Sequence, residues 1–264
     1  MGALAIPVSL LGLCGGDKQP SPGQPRQEIS GNCNAQGSGN SVTCQNIAAP
    51  PNRSDLKVVN VAVQKPSKVD AELQDEGRRN PPEKAQIEAS VIDVTVKNSG
   101  TAPVVILGVD FTFAFAEEMQ NCPGGGDGVM VGAAYSVKVP TSPPPRPFKL
   151  TRDIRFSVAS GGVERFTLSV GPDQQYDANE GGPWLYVMGL ALRTDDAPKT
   201  VDLGTVAIAA QPRMLIPKPY AGFDPDCLRQ NLEVMAAAAR FPAIRPEELT
   251  SAIKAYAAYT MPRR

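Results

Sequence analysis

The chain has 264 residues, with 26 basic and 27 acidic side chains, a formal charge of −1 and no histidine. Without a block of like charge there is nothing to draw a phosphate backbone, so nucleic acid is not expected as a partner. The lack of histidine removes the usual proton carrier near neutral pH, the commonest metal ligand and every Ser-His-Asp or Cys-His nucleophile arrangement, so neither a metal nor a cofactor is expected.

Residues 1–16 are apolar and uncharged, ending Leu11-Gly12-Leu13-Cys14-Gly15-Gly16. The run is too short to span a bilayer and has the length of a signal-peptide core without the basic residues in front of it. It reads as the end of a longer membrane anchor, as a lipoprotein-like start, or as an apolar terminus packed on the protein. Leu11-Gly12-Leu13-Cys14 resembles the bacterial lipobox, which makes Cys14 the lipidation candidate, although Leu13 stands where the lipobox has a small residue.

Residues 17–55 are rich in Gly, Pro, Ser, Asn and Gln, and they bury too little apolar surface to offset ordering entropy. They read as a flexible tether. Within it Gly31-Asn32 recurs as Gly39-Asn40, and Cys33 and Cys44 flank the second copy at a spacing that suits a disulfide across a tight hairpin. Cys122 and Cys227 are the other candidate pair, and free buried thiols are the alternative for all of them. The Gly-Asn-Cys stretch resembles linkers of otherwise unrelated bacterial proteins, which implies a stapled spacer; contact with a sugar or cell wall is the second reading.

From Leu56 the apolar residues alternate, as strands with one buried face do. Val59, Val61 and Val63 form one such set, Ile92, Val94 and Val96 a second, and Val109, Phe111, Phe113 and Phe115 a third. Ile87, Ala89 and Val91 hold the opposite phase to the second set, which predicts a β-bulge near Val91 and Ile92. Further strands are expected at 129–139, around Ile154–Val158, around Phe166–Val170, at 184–193 and at 201–208. About eight strands without helical periodicity predict a mainly β domain over 56–212, an antiparallel sandwich whose core includes Val94, Val96, Phe111, Phe113, Phe156, Phe166 and Leu168.

Two segments carry a resemblance. Ile92-Asp-Val-Thr-Val-Lys-Asn-Ser-Gly-Thr-Ala-Pro-Val104 and Ser160-Gly-Gly-Val-Glu-Arg-Phe-Thr-Leu168 resemble strand–turn–strand units of bacterial immunoglobulin-like domains. The resemblance implies an immunoglobulin-like β-sandwich and transfers no active site. The Pro140–Pro147 insertion and the charged loop at 65–84 depart from a minimal sandwich, and a surface function is expected there.

Residues 213–264 change to helical spacing. Leu228, Leu232, Met235 and Ala239 form one stripe, and Leu249, Ile253 and Tyr256 a second behind Pro246-Glu247-Glu248, so a helical hairpin closes the chain.

Candidate chemistry is sparse. Glu117-Glu118 and Asp195-Asp196 are acidic pairs that could act as general acid and base, although solvated acids at strand ends are the commoner use. The Gly-rich run at 121–128 lacks the Gly-Lys-Ser/Thr ending of a phosphate loop. Trp184 and Tyr186 share one face of a strand and are the ligand-contact candidates, able to stack on a sugar ring if exposed and core residues if not. Pro143-Pro-Pro-Arg-Pro147 is either an extended recognition segment or a stiff loop. The expected function is a noncatalytic, cell-envelope-associated module, membrane-tethered through residues 1–16, contacting a protein or cell wall. The alternatives are a carbohydrate-binding module and a histidine-free hydrolase built on paired carboxylates.

Overall fold

The computed structural model describes residues 53–75, 81–122, 129–174, 176–177, 181–196, 200–215 and 224–259. The strands are β1 (Leu56–Asp75), β2 (Glu83–Asn98), β3 (Val104–Gln120), β4 (Val129–Ala133), β5 (Val137–Val139), β6 (Phe148–Val158), β7 (Val163–Pro172), β8 (Tyr176–Asp177), β9 (Gly181–Thr194) and β10 (Thr200–Ala209). A 3-10 turn at Pro212–Met214 and the helices α1 (Pro225–Ala239) and α2 (Glu247–Ala258) follow. The anticipated strand regions are strands, with 129–139 divided into β4 and β5, and the loop expected at 65–84 is corrected, since 65–75 continue β1 and 83–84 begin β2. Cys14, Cys33 and Cys44, with the anchor and nearly all of the tether, lie outside the described residues.

The strands form a six-stranded sheet in the order β5-β7-β2-β1-β4-β8 and a four-stranded sheet in the order β10-β9-β3-β6. Pairing is antiparallel except between β5 and β7, which run parallel, so the expectation of a wholly antiparallel arrangement is corrected there. Val94 and Val96 on β2 and Leu168 on β7 meet Phe111, Phe113, Tyr186, Met188 and Leu190 from the other sheet in one core. Phe156 and Phe166, expected inside, are half-buried; their rings contact each other at 5.5 Å.

The helices cover the opposite face of the four-stranded sheet. Leu228, Met235, Ala238, Leu249, Ala252 and Tyr256 pack there on Phe115, Met119, Leu185, Val187, Ala207 and Ala209. This makes three layers, sheet on sheet on helical hairpin, and it explains β9. Trp184, Tyr186, Met188, Leu190 and Leu192 face the sheet–sheet core while Leu185 and Val187 face the helices. A strand covered on both sides reads as a continuous apolar run, so alternation signals it only weakly.

Three bulges correct the phase read from the sequence. Val59 is an extra residue on β1 between the pairs Val58↔Val96 and Asn60↔Thr95, and it is 58% exposed while Val58, Val61 and Val63 pack on the core. The slip expected in β2 sits instead on β1, which carries one residue more than β2 between Gln64↔Val91 and Ser67↔Ala89. Pro66 lies in that bulge, where a residue without an N–H is tolerated. The opposite phase in β2 is nevertheless used, because Ile87 and Ala89 pack with Ala133 and Tyr135 in a small separate cluster. The third bulge is Ala114 on β3, between Phe113↔Met188 and Phe115↔Val187. It turns Phe115 to the helix side, so the expected single face of Val109, Phe111, Phe113 and Phe115 is divided between two cores.

The crossing from β2 to β3 joins the two sheets and is organised by Asn98, which is fully buried. Its Oδ1 accepts from Gly100 N (3.0 Å) and Asp55 N (3.2 Å), and its Nδ2 donates to Ala102 O (2.7 Å) and Val158 O (3.1 Å). Side-chain bonds of this kind substitute for a backbone ladder in a turn. Gly100 is required because a Cβ there would stand 2.1 Å from Arg53 O. In the neighbouring turn Gly161 adopts φ 72°, a left-handed conformation that glycine enters without steric cost.

α1 begins as its sequence requires. Asp224 caps it by accepting from Asp226 N (2.8 Å) and Cys227 N (2.9 Å), with Pro225 in the first turn. Its buried face holds Leu228, Asn231, Met235 and Ala238, whereas Leu232 is only half-buried and Ala239 is exposed. Between the helices the Arg245 guanidinium donates to the carbonyls of Ala238, Phe241 and Ala243, closing the C-terminus of α1. Ile244 adds a parallel bridge to β10, exchanging bonds with Thr205 O and Ala207 N (2.9 Å each). Among the described residues no helix is long and apolar enough to cross a membrane.

Candidate functional site

A cleft of about 570 Å³ opens at one end of the six-stranded sheet. It arises from the unequal lengths of the strands. β2 pairs with β7 only over Val91–Lys97, while β1 turns to β4 over Ala71–Asp75. Lys84 and Ala85 therefore have β1 on one side and, among the described residues, no paired strand on the other.

Its lining includes the small residues Ala71, Ala85, Gly132, Ala133 and Ala134, Lys138 from β5, and Asp173 and Gln174 beyond β7. Asp70, Glu72 and Lys84 of the β1–β2 ladder also line it, and since they alternate with Ala71 and Ala85 along their strands, their side chains turn to the other face of the ladder. Asp70 is steadied by Gln86 Nε2 (3.3 Å), and Ala134 N donates to Asp70 O (2.8 Å), holding the connection after β4 against β1. Across the cleft Asp173 Oδ1 accepts from Thr141 N (3.1 Å), and Asp173 N donates to Val139 O (2.8 Å). None of these five charges forms an ion pair with another of the five among the described residues. The cleft thus has carboxylates and ammonium groups together in its lining. Asp70, Ala71, Glu72 and Lys84 fall in the charged loop at 65–84 singled out from the sequence, whereas the lining from β4, from β5 and beyond β7 carried no signal there.

The residues singled out in the sequence lie elsewhere. Trp184 and Tyr186 are buried, at 6% and 1% exposure, and their rings stack on each other at 6.0 Å inside the sheet–sheet core. Their role as ligand contacts is corrected: the inward face of β9 offers neither ring to solvent. Burial is the first cause that pushes the Tyr186 hydroxyl far above the usual phenol range, with Tyr135, Glu118 and Asp173 adding to it.

Of the acidic pairs, Glu117 and Asp195 are engaged in structural bonds and Asp196 is exposed. Glu117 accepts from Arg146 NH2 at 2.6 Å, and the same guanidinium lies 5.2 Å over the Phe115 ring, which pins the Pro-rich loop to β3. Solvent reaches Glu118, yet partial desolvation of its carboxyl raises its pKa above the usual carboxylate range, opposed by a backbone hydrogen bond from Gly182. Asp195 Oδ1 accepts from Val105 N at 2.9 Å and Asp195 N donates to Val105 O at 3.0 Å, so this carboxylate closes a turn. No group of three or more Cys, Asp or Glu side chains capable of holding a metal occurs among the described residues.

Cys122 and Cys227 are joined, with Cα atoms 5.6 Å apart, linking the end of β3 to the first turn of α1. Beside them Asn231 is fully buried; its Oδ1 accepts from Gln120 N (2.7 Å) while its Nδ2 donates to Gln120 O (2.9 Å) and Cys122 Sγ (3.1 Å). At Gln120 β3 is paired with β9 alone, the β6 ladder having ended at Phe113, and Asn231 takes up both main-chain groups of Gln120. The signal in the sequence was a lone amide within the apolar stripe of α1, between Leu228 and Met235. No protein-family model, curated protein or solved structure matches this chain.

Proposed function

We propose that the chain is a noncatalytic, cell-envelope-associated module, an immunoglobulin-like sandwich tethered to a membrane by residues 1–16 and acting through contacts with a protein or cell wall. The observation that carries this reading is the Cys122–Cys227 bridge, which ties the helical hairpin to the sheet. Disulfides of this structural kind persist in oxidising compartments. The structural bonds of Glu117 and Asp195 favour a binding over a hydrolytic role.

The test uses the full chain in its native host, alkylated without reduction and mapped by mass spectrometry, together with protease added to intact cells. Unmodified Cys122 and Cys227 and cleavage from outside are the expected results. Alkylation of both thiols together with protection from protease would replace this reading with a cytoplasmic, membrane-tethered adaptor. Co-sedimentation with isolated cell wall then separates a wall contact from a protein contact.

A further inference from the structure

We propose that the recess between the end of α1, the loop that follows it and α2 binds a small aliphatic carboxylate, with the carboxylate between Arg245 and Lys254 and the alkyl end against Ala239, Ala243 and Ile253. The proposal does not depend on the compartment in which the chain resides.

The recess has a volume of about 220 Å³ and is lined by Ala239 of α1, Ala243 and Arg245 of the loop, and Thr250, Ile253 and Lys254 of α2. That is below the ~300–1,000 Å³ of sites for drug-sized ligands, which restricts the occupant to a few carbons. Thr250, Ile253 and Lys254 stand at i, i+3 and i+4, so they form one contiguous stripe on α2. Ile253 packs on the core beneath the helices, while Lys254 is exposed.

The charge of the recess is of one sign. Its lining holds two cations and no acid, and neither cation is ion-paired among the described residues. Arg245 is half-buried, and its guanidinium meets only the neutral carbonyls of Ala238, Phe241 and Ala243. The C-terminus of α1 sets about half a negative charge against it, so positive charge is left over before Lys254 is counted. A cation partly withdrawn from water is stabilised by a counter-ion. Arg245 NH1 carries two protons, of which one goes to Ala243 O; the other and the Lys254 ammonium supply two donors for one carboxylate. The remainder of the lining is apolar, which distinguishes an alkyl carboxylate from inorganic phosphate, since only the former covers both parts of the wall.

The experiment titrates the full chain at low ionic strength with butyrate, butyramide and inorganic phosphate, following backbone amide NMR signals. Saturable binding of butyrate in the millimolar range is expected, moving the signals of residues 239–254, and butyramide, which keeps the shape and loses the charge, should bind about tenfold more weakly. Lys254→Gln should weaken butyrate about threefold or more, Lys254→Arg should retain it, and Ala239→Leu, which fills the recess from α1, should abolish it. Ala239 and Lys254 are exposed, so unchanged thermal midpoints will show that the variants fold. Failure of butyrate to saturate, equal binding of butyramide, or wild-type affinity in Lys254→Gln or in Ala239→Leu would overturn the proposal. Phosphate binding as tightly as butyrate would overturn the assignment to an aliphatic carboxylate.

Discussion

The four-stranded sheet is covered on both faces, and its two coverings are held by different means. On one face aromatic and branched side chains of both sheets interdigitate, with Phe113 stacked on Phe148 at 4.9 Å and edge-on to Tyr186 at 5.8 Å. On the other, Phe115, Met119, Leu185, Leu228, Met235, Leu249 and Tyr256 pack together with Ala207, Ala209, Ala238 and Ala252, which bury little area each. Helices of 15 and 12 residues are marginal alone in water. They are fastened by a disulfide, by Asn231 bracketing Gln120, and by Ile244 bridging β10. Burial holds both layers to the four-stranded sheet, and on the helix side discrete links are added to it.

The largest effect expected from probing this contrast is at Phe113. Phe113→Ala should cost about 3–5 kcal/mol in chemical denaturation, because the side chain is fully buried and its neighbours on two strands cannot collapse into the gap. A loss under ~1 kcal/mol would remove it from the core.

Replacing Cys122 and Cys227 together by Ala should cost about 2–4 kcal/mol, the typical contribution of a structural disulfide. The coupling between sites is more telling than either value. Phe115 lies two residues from Phe113 but on the helix side, so Phe115→Ala combined with loss of the disulfide should depart from additivity by about 0.5 kcal/mol or more. Phe113→Ala combined with the same change should add within about 0.5 kcal/mol. Equal coupling at both phenylalanines would mean that Ala114 does not separate the two cores.

The smallest effect lies on the outer face of the six-stranded sheet, where Asp93 accepts from Arg165 Nε (2.7 Å) and NH2 (2.9 Å) and from Gln64 Nε2 (2.8 Å). The Arg165 hydrogen bonds hold the Asp93 carboxyl below the usual range, against the opposing pull of burial. A carboxyl depressed on folding contributes stability above its unfolded value of about 3.9, lost as pH falls through the folded value. Arg165 is largely exposed, so Arg165→Met should cost under ~1 kcal/mol at neutral pH, and the difference should shrink below about pH 4. A difference constant with pH would assign the effect to packing of the arginine stem.

Much of the architecture was legible in the chain. The alternation of Ile92, Val94 and Val96 marked a strand, Asn98-Ser-Gly-Thr101 marked a turn, and Pro246-Glu247-Glu248 marked a helix start. The cleft was not legible, because its walls come from four strands that pair for different lengths. Trp184 and Tyr186 were read correctly as sharing a face, but that face proved to be the interior.

The sequence by itself determined which side chains of a strand share a face and where the chain turns, since both follow from local backbone geometry of period two and from residues that tolerate tight turns. Only the tertiary structure decided which face meets which layer and where Val59, Pro66 and Ala114 exchange them. A bulge is a mismatch between two paired strands, and it exists only once both have found their register.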